Sequence, residues 1–288
     1  MPVAALGVFD GVHLGHINIL KGAAKQARMI GGMSVAVTFY PHPQKEESLY
    51  SLEHRLRLIA DLGIQVCVVI DLNPQLRKLS ADDFIRNILV RRLGVKYIYV
   101  GKNYRFGKGA RGDIRLLNKL SQEFDFKVKA FDVVKVNGRP VSSTLIRALI
   151  KSARLKEAER LLTRPVSVLG TVIKGTSIAR RLGFPTANID PHHEVTPPLG
   201  IYAVRVIYNN KILFGVCYIG RKPTFINTAE THIEVHIFDF NKNIYSEDLE
   251  VQFIKKLRND RKFKDTQILA LRIKKDIASA RALFGLSS

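Results

Sequence analysis

The hydrophobic period changes once along this 288-residue chain, and that change constrains the fold more than any other feature. Before Pro165, short apolar runs alternate with segments of helical spacing. VAALGV (3–8) and SVAVTF (34–39) read as strands, with QVCVVIDL (65–72) and KYIYVG (96–101) as further buried strands. HINILKGAAKQARMI has apolar residues at Ile17, Leu20, Ala23, Ala24, Ala27 and Ile30, one stripe of a helix that Gly31-Gly32 stops. SADDFIRNILVRRL (80–93) reads as a second helix, with Ser80 as N-cap and Asp83 in a capping-box position. Such repetition predicts a parallel sheet covered on both faces. FKVKAFDVVKVN (126–137) is a further extended stretch, STLIRALI begins a helix, and 148–162 reads as a helix closing the domain. Beyond Pro165 the period is two. VSVLGTVI, IYAVRVIY, KILFGVCYI, HIEVHIFDF and LEVQFI are strand-like, and Asn209-Asn210 suits a tight hairpin turn. Five such segments predict a small antiparallel barrel. One amphipathic helix ends the chain, with Ile268, Leu271, Ile277 and Leu283 on or near its apolar stripe. The expected domains are 1–162, α/β with a parallel sheet, and 163–288, a barrel with a C-terminal helix.

Composition narrows the class. Hydrophobic residues are 46% and charged residues 25%, which excludes disordered, collagen-like and coiled-coil chains. There is no run of eighteen apolar residues, so no membrane span is expected. MPVAALGVFDG lacks a basic region before its apolar stretch and is not expected to be a signal peptide. The chain begins almost on its first strand, and its natural start is expected upstream. Cys67 and Cys217 lie far apart in apolar stretches, as core residues of a reducing, cytoplasmic protein would. The net charge of +21 points to anionic partners. Residues 1–162 carry 27 basic and 14 acidic side chains, and residues 163–288 carry 19 and 11. The excess is spread evenly and holds no block of five like charges, so a basic bias of the surface is favoured over a nucleic-acid patch.

GVFDGVHLGH (7–16) falls where a strand ends and a helix begins, the ligand position of an open α/β sheet. Gly7 and Gly11 let the backbone approach a phosphate. His13 and His16 lie just before the helix, near N–H groups that favour an anion, and can stabilise charge growing on a phosphate. GKNYRFGKGARGD (101–113) is a glycine-rich loop with Lys102, Arg105, Lys108 and Arg111, either a flexible phosphate-holding loop or a solvated one. Ser142, Ser143 and Thr144 open a helix, where they can bind phosphate oxygens or simply cap it. Arg147 either points at the same phosphates or is solvated. In TFYPHP (38–43), two prolines fix a loop after a strand, and His42 is either part of the site or merely exposed.

The stretch GxFDGxHxGH resembles the signature of nucleotidyltransferases that activate substrates with ATP or CTP. With TFYPHP, GKNYRFGKGARGD and VSSTLIR, in order and spacing, it is similar to the adenylyltransferase module of bacterial bifunctional riboflavin kinase/FAD synthetases. That resemblance implies a Rossmann-like domain in which His13 and His16 are catalytic. Gly7, Phe9, Asp10, Gly11, Asn103, Arg105, Ser142, Ser143, Thr144 and Arg147 would line the nucleotide and flavin site.

GTVIKGTSIARRLGFPTANI (170–189) supplies a second constellation. Read plainly it is a strand, a basic loop and a proline turn. Yet Pro185 stiffens the turn while Thr186 and Asn188 present hard oxygen donors without a carboxylate, a set suited to Mg²⁺ already held by ATP phosphates. Lys174, Gly175 and Arg180 belong to the basic, permissive loop beside it. The segment closely resembles the flavokinase signature, and GIYAVRV, IGRKPTF, IEVHIFDF and VQFIKKLR match that family in order. The family's catalytic base corresponds to Glu234. Alternation places Glu234 and His236 on the strand face opposite Ile233, Val235 and Ile237; a lone glutamate there would ordinarily be solvated. Asn103, Ala179, Tyr218, Lys222 and Ser246 depart from the family pattern, which commonly has Asp, Gly, Asn, Arg and Gly.

The resemblance implies an enzyme that phosphorylates riboflavin to FMN and adenylylates FMN to FAD. Mg²⁺-ATP, riboflavin, FMN and FAD are its small-molecule partners, with no nucleic acid and no membrane; a weak homo-oligomer is compatible with the sequence. The alternatives are a chain with one module degraded and a basic nucleic-acid- or flavin-binding protein without chemistry.

Overall fold

In the computed structural model, residues 1–41, 47–175, 182–221, 231–261, 263 and 265–287 are described. Two compact units emerge, Met1–Leu145 and Ile146–Ser288.

The first unit is built on β1 (Pro2–Leu6), which pairs in parallel with β2 (Met33–Tyr40) on one side and β4 (Tyr97–Gly101) on the other. With β3 (Val66–Asp71) and β5 (Lys127–Phe131) the sheet order is β3-β2-β1-β4-β5. Alternate residues of β1 feed two cores. Val3 and Ala5 face α1 (Leu14–Met29) and α2 (Leu52–Ala60), through Leu20, Ala23 and Ile59. Ala4 and Leu6 face a second cluster with Phe84, Leu89 and Leu117. The expected two-faced parallel sheet is therefore present. α3 (Pro74–Arg77) precedes α4 (Ala81–Asp83), where Ser80 caps as its sequence predicts, its Oγ accepting from Asp83 N at 3.0 Å. Phe84–Arg92 continues as a π-helix, and α5 (Ile114–Glu123) starts at the Asp113 cap. One expectation fails here. QVCVVIDL is not a buried strand: β3 lies at the sheet edge, and Val66 and Val69 are exposed.

The expected helix over 148–162 is two helices, α6 (Ser143–Lys151) and α7 (Leu155–Leu162). Ala153 takes φ 59°, and the Ser152 hydroxyl donates to Ala148 O at 2.8 Å. The turn lets Leu155, Ala158, Leu161 and Leu162 become buried on a new axis.

Beyond β6 (Lys135–Val136) and β7 (Arg139–Pro140) of the first unit, the second is a closed antiparallel barrel. Its strands are β8 (Val166–Ile173), β9 (Ala187–Asp190), β10 (Gly200–Tyr208), β11 (Lys211–Arg221), β12 (Thr231–Ile237) and β13 (Asp248–Arg258), in the order β10-β11-β12-β9-β8-β13. Asn209 and Asn210 adopt φ 46° and 60°, the primed turn expected of that hairpin. The barrel has one strand more than the sequence predicts. β9 is only four residues long and follows a proline, so it reads as part of a turn. The C-terminal helix Thr266–Leu283 forms as expected, but of its expected stripe Ile277 alone packs against the barrel cluster. Ile268, Leu271 and Leu283 are exposed, while Ala280 and Asp276 are buried. Ala280, Ile277 and an ion pair make the contact: Asp276 Oδ2 accepts from Arg258 Nη2 at 2.7 Å. No helix among the described residues is long and apolar enough to cross a membrane.

Candidate functional site

In the first unit, the chain leaves β1 at the sheet centre and reaches α1 through a tight loop. Phe9, Gly11 and Val12 have φ of 53°, 80° and 39°, and Val12 N donates to Phe9 O at 3.0 Å. A Cβ on Gly11 would lie 2.5 Å from Leu49 Cδ1, so both its conformation and its surroundings require glycine. A Cβ on Gly7 would press on the Phe9 ring at 2.8 Å. Asp10 is 2% exposed, and its Oδ1 accepts from Leu49 N at 2.8 Å. Ser143 Oγ donates to Asp10 O at 2.8 Å, and Ser142 Oγ accepts from Leu145 N at 3.2 Å.

This loop places the histidines. His13 is the N-cap of α1, its Nδ1 accepting from His16 N at 3.4 Å, and His16 sits in the first helical turn rather than before the helix. Their rings stack 3.6 Å apart at 15°, with Phe9 edge-on to His16 at 5.4 Å. An Nδ1 that accepts leaves the proton of neutral His13 on Nε2. Arg55 was not singled out in the sequence, yet it is 3% exposed and ties the loop to the sheet. Its Nη1 donates to Val8 O at 2.7 Å and its Nη2 to Phe39 O at 3.1 Å. Burial lowers its pKa, opposed by the nearby Asp10 carboxylate. Thr38 Oγ1 also donates to Val8 O, at 2.9 Å.

The loop at 101–113 is less free than a flexible reading requires. Phe106 and Gly112 exchange two backbone hydrogen bonds, and Arg105 Nη1 meets Asp113 Oδ2 at 3.0 Å. Asn103, Lys108 and Arg111 are exposed. Thr144 is exposed and Arg147 is buried, so the solvated reading of Arg147 does not hold. His42 lies outside the described residues.

In the second unit, Glu234 on β12 is flanked in the ladder by Tyr218 on β11 and Asn188 on β9. The predicted alternation holds: Ile233, Val235 and Ile237 are buried on the opposite face. Thr186 Oγ1 donates to Glu234 Oε2 at 3.0 Å, and His232 Nε2 lies 2.5 Å from Oε1. Burial alone would push the Glu234 carboxyl upward. The hydrogen bond and charge of His232, with the Thr186 hydroxyl, outweigh it and hold the carboxyl below its ordinary value. His236 Nδ1 lies 2.8 Å from Pro185 O, tying the proline turn to β12. Asn188 is 5% exposed, and its Oδ1 is buried without a hydrogen-bond partner among the described residues. A side chain on Gly175 would collide with the Asn188 amide. A cleft of about 540 Å³ opens here, with Gly175, Gly183, Pro185, Thr186, Asn188 and Tyr245 on its walls. Lys174 is exposed beside it; Arg180, Ala179 and Lys222 lie outside the described residues.

The sequence missed His232, although it stands two residues before Glu234 on the same strand face. An orphaned amide oxygen beside a hydroxyl whose proton is directed at a carboxylate is a donor set that fits Mg²⁺.

Fold and sites define a two-module enzyme of ATP-dependent group transfer, with a nucleotidyltransferase-type loop in one module and a kinase-type barrel in the other. Residues 2–145 match the FAD synthetase family, and residues 162–284 match the riboflavin kinase family. The chain is 37% identical to the bifunctional riboflavin kinase/FMN adenylyltransferase of Pseudomonas fluorescens, over 98% of this chain and 92% of that one. It is 35% identical to that of Buchnera aphidicola subsp. Schizaphis graminum, over 98% and 94%. A crystal structure from Streptococcus pneumoniae, described as a macrolide-efflux protein, superposes with a TM-score of 0.82 at 28% identity, over 97% of this chain and 94% of that one. The chain belongs to the bifunctional riboflavin kinase/FMN adenylyltransferase family.

Proposed function

We propose that the two modules carry out successive steps. The barrel phosphorylates riboflavin with ATP, giving FMN and ADP. The α/β module joins FMN to the AMP part of ATP, giving FAD and pyrophosphate. The observation that carries the reading is the contrast between two phosphate-directed sites, one with stacked histidines and one with a carboxylate.

The nucleophiles explain the contrast. The FMN phosphate is already an anion when it attacks the α-phosphorus of ATP, so it needs alignment and charge stabilisation rather than a strong base. The Nε2–H of His13 and the helix N-terminus supply positive potential, with His16 stacked against it. Gly7, Phe9 and Gly11 shape the backbone that meets the nucleotide. Asp10 and Ser143 hold that backbone in place.

The riboflavin 5′-hydroxyl must lose a proton as it attacks the γ-phosphorus, and Glu234 accepts it. Its depressed pKa keeps it ionised at neutral pH. Thr186 and Asn188 would hold Mg²⁺, which supplies charge neutralisation on the ATP phosphates when bound. Thr186 gives its proton to Glu234 and so keeps its oxygen lone pairs for the cation. We assign the modules to 1–162 and 163–288, with 146–161 between the two family matches, and the enzyme to the cytoplasm.

Incubation with riboflavin, ATP and Mg²⁺, followed by separation of the flavins, tests this reading. FMN and then FAD are expected. FMN without FAD would remove the first module's activity. Unchanged riboflavin, with supplied FMN still converted, would remove the second's.

A further inference from the structure

We propose that His232 is a positioning residue for the kinase reaction, holding the Glu234 carboxylate through Oε1 while Thr186 holds it through Oε2. The inference deepens the assignment of Glu234 as the base and rests on it.

The geometry is specific. His232 and Glu234 are neighbours on one face of β12, with Nε2 and Oε1 2.5 Å apart and side chains only 19% and 17% exposed. The other faces around Glu234 offer no substitute among the described residues. From β11, Tyr218 is its register partner, but the Tyr218 hydroxyl donates to Asp260 Oδ2 at 3.4 Å. Opposite His232 stands Gly220, where any side chain would collide with the Tyr218 hydroxyl. From β9, Asn188 lies opposite Glu234 and its amide oxygen bonds no described residue. Thr186 and His232 are therefore the two donors on this carboxylate among the described residues.

Two donors do what one cannot. A glutamate held at one oxygen still turns about its terminal bond, and a base must keep a lone pair aimed at the proton it removes. Bonds at both oxygens fix the carboxylate plane and leave the remaining lone pairs facing one way. The donor at Oε1 comes from the same rigid strand as the base, and a site built on a strand is held more tightly than one on a loop. His232 takes no proton from riboflavin in this scheme and touches no substrate.

The test uses the full-length chain with His232→Leu, His232→Gln and Glu234→Gln. FMN formation is followed for kcat and KM, and FAD formation from supplied FMN is measured on the same preparations. His232→Leu is expected to lower kcat for FMN formation by about tenfold, the effect of losing one hydrogen bond to a charged group, with KM for riboflavin and ATP nearly unchanged. His232→Gln should recover most of that loss, because its amide N–H can replace Nε2–H. FAD formation should not change. Wild-type kcat in His232→Leu beside an inactive Glu234→Gln would overturn the proposal. So would equal losses in the Leu and Gln variants, a change confined to KM, or a parallel fall in FAD formation, each of which marks a merely structural residue. An active Glu234→Gln enzyme would instead remove the base assignment beneath it.

Discussion

The two modules build their sites from opposite materials. In the α/β module, the proposed catalytic histidines stand at the N-cap and in the first turn of α1, after a loop whose backbone passes through three positive φ angles within four residues. Arg55, Thr38 and Ser143 tie that loop down from other elements, and its own Asp10 carboxylate accepts from Leu49 N. In the barrel, Glu234, His232 and Asn188 stand on paired strands, and the ladder itself fixes their spacing. The loop delivers the chain to the N-terminus of α1, whose dipole favours an anion, which a strand in a ladder does not offer. The strand carries the Glu234 carboxylate, which His232 on the same strand and Thr186 hold at its two oxygens. On the proposed function, each design suits its nucleophile, one arriving already charged and the other not.

The most forceful way to break this contrast is to remove each centre and measure both reactions. Glu234→Gln should lower FMN formation by roughly 10²–10⁴-fold, the usual contribution of a general base, and leave FAD formation from supplied FMN intact. His13→Ala should do the reverse, lowering FAD formation by roughly 10²–10³-fold, as loss of a transition-state donor does, and sparing FMN formation. If either variant lost both activities equally, the division of labour would be wrong.

A smaller effect separates loop from strand. Gly11→Ala must bring a Cβ to 2.5 Å from Leu49 at a φ of 80°. Such strain costs about 1–3 kcal/mol. Denaturant unfolding should show that loss, and FAD formation should fall while FMN formation persists. An unchanged rate of FAD formation would mean that the loop does not need its observed shape.

How far the sequence reached depended on the same contrast. GVFDGVHLGH was legible because glycines, histidines and a strand–helix junction lie within ten residues. Glu234 was legible through the flavokinase resemblance of its segment; strand alternation gave only its face, where a lone glutamate would ordinarily be solvated. Arg55 was not, because its segment, LEHRLRLIA, reads as a helix with a charged face, and only the tertiary fold turns that guanidinium inward. β9 was hidden by its length, so Asn188 read as a turn residue although it stands in a ladder opposite Glu234. The C-terminal stripe misled for a related reason. Apolar spacing marks a helix, but Asp276 and Ala280 decide which side meets the barrel. The net charge of +21 is explained only in small part by residues near either site.

The weakest expected effect concerns a departure from the family pattern. Ser246 stands where glycine is usual, and it adopts φ 64° in the turn that leads into β13. Its N–H donates to Val172 O at 2.9 Å, so the turn is anchored and cannot relax to another conformation without losing that bond. A side chain in the left-handed region costs roughly 1–2 kcal/mol, and glycine gives part of that back through the greater freedom of its unfolded chain. Ser246→Gly should therefore stabilise the barrel by about 0.5–1 kcal/mol, read as a higher denaturation midpoint at unchanged slope. Tyr245, on the wall of the kinase cleft, immediately precedes it. If the serine merely strains the turn, FMN formation should stay within about twofold of the wild type while stability rises. A rise in stability with a fall in FMN formation would show instead that the strained turn holds the cleft wall in its working position. The barrel site would then share the dependence on a strained loop that distinguishes the α/β module.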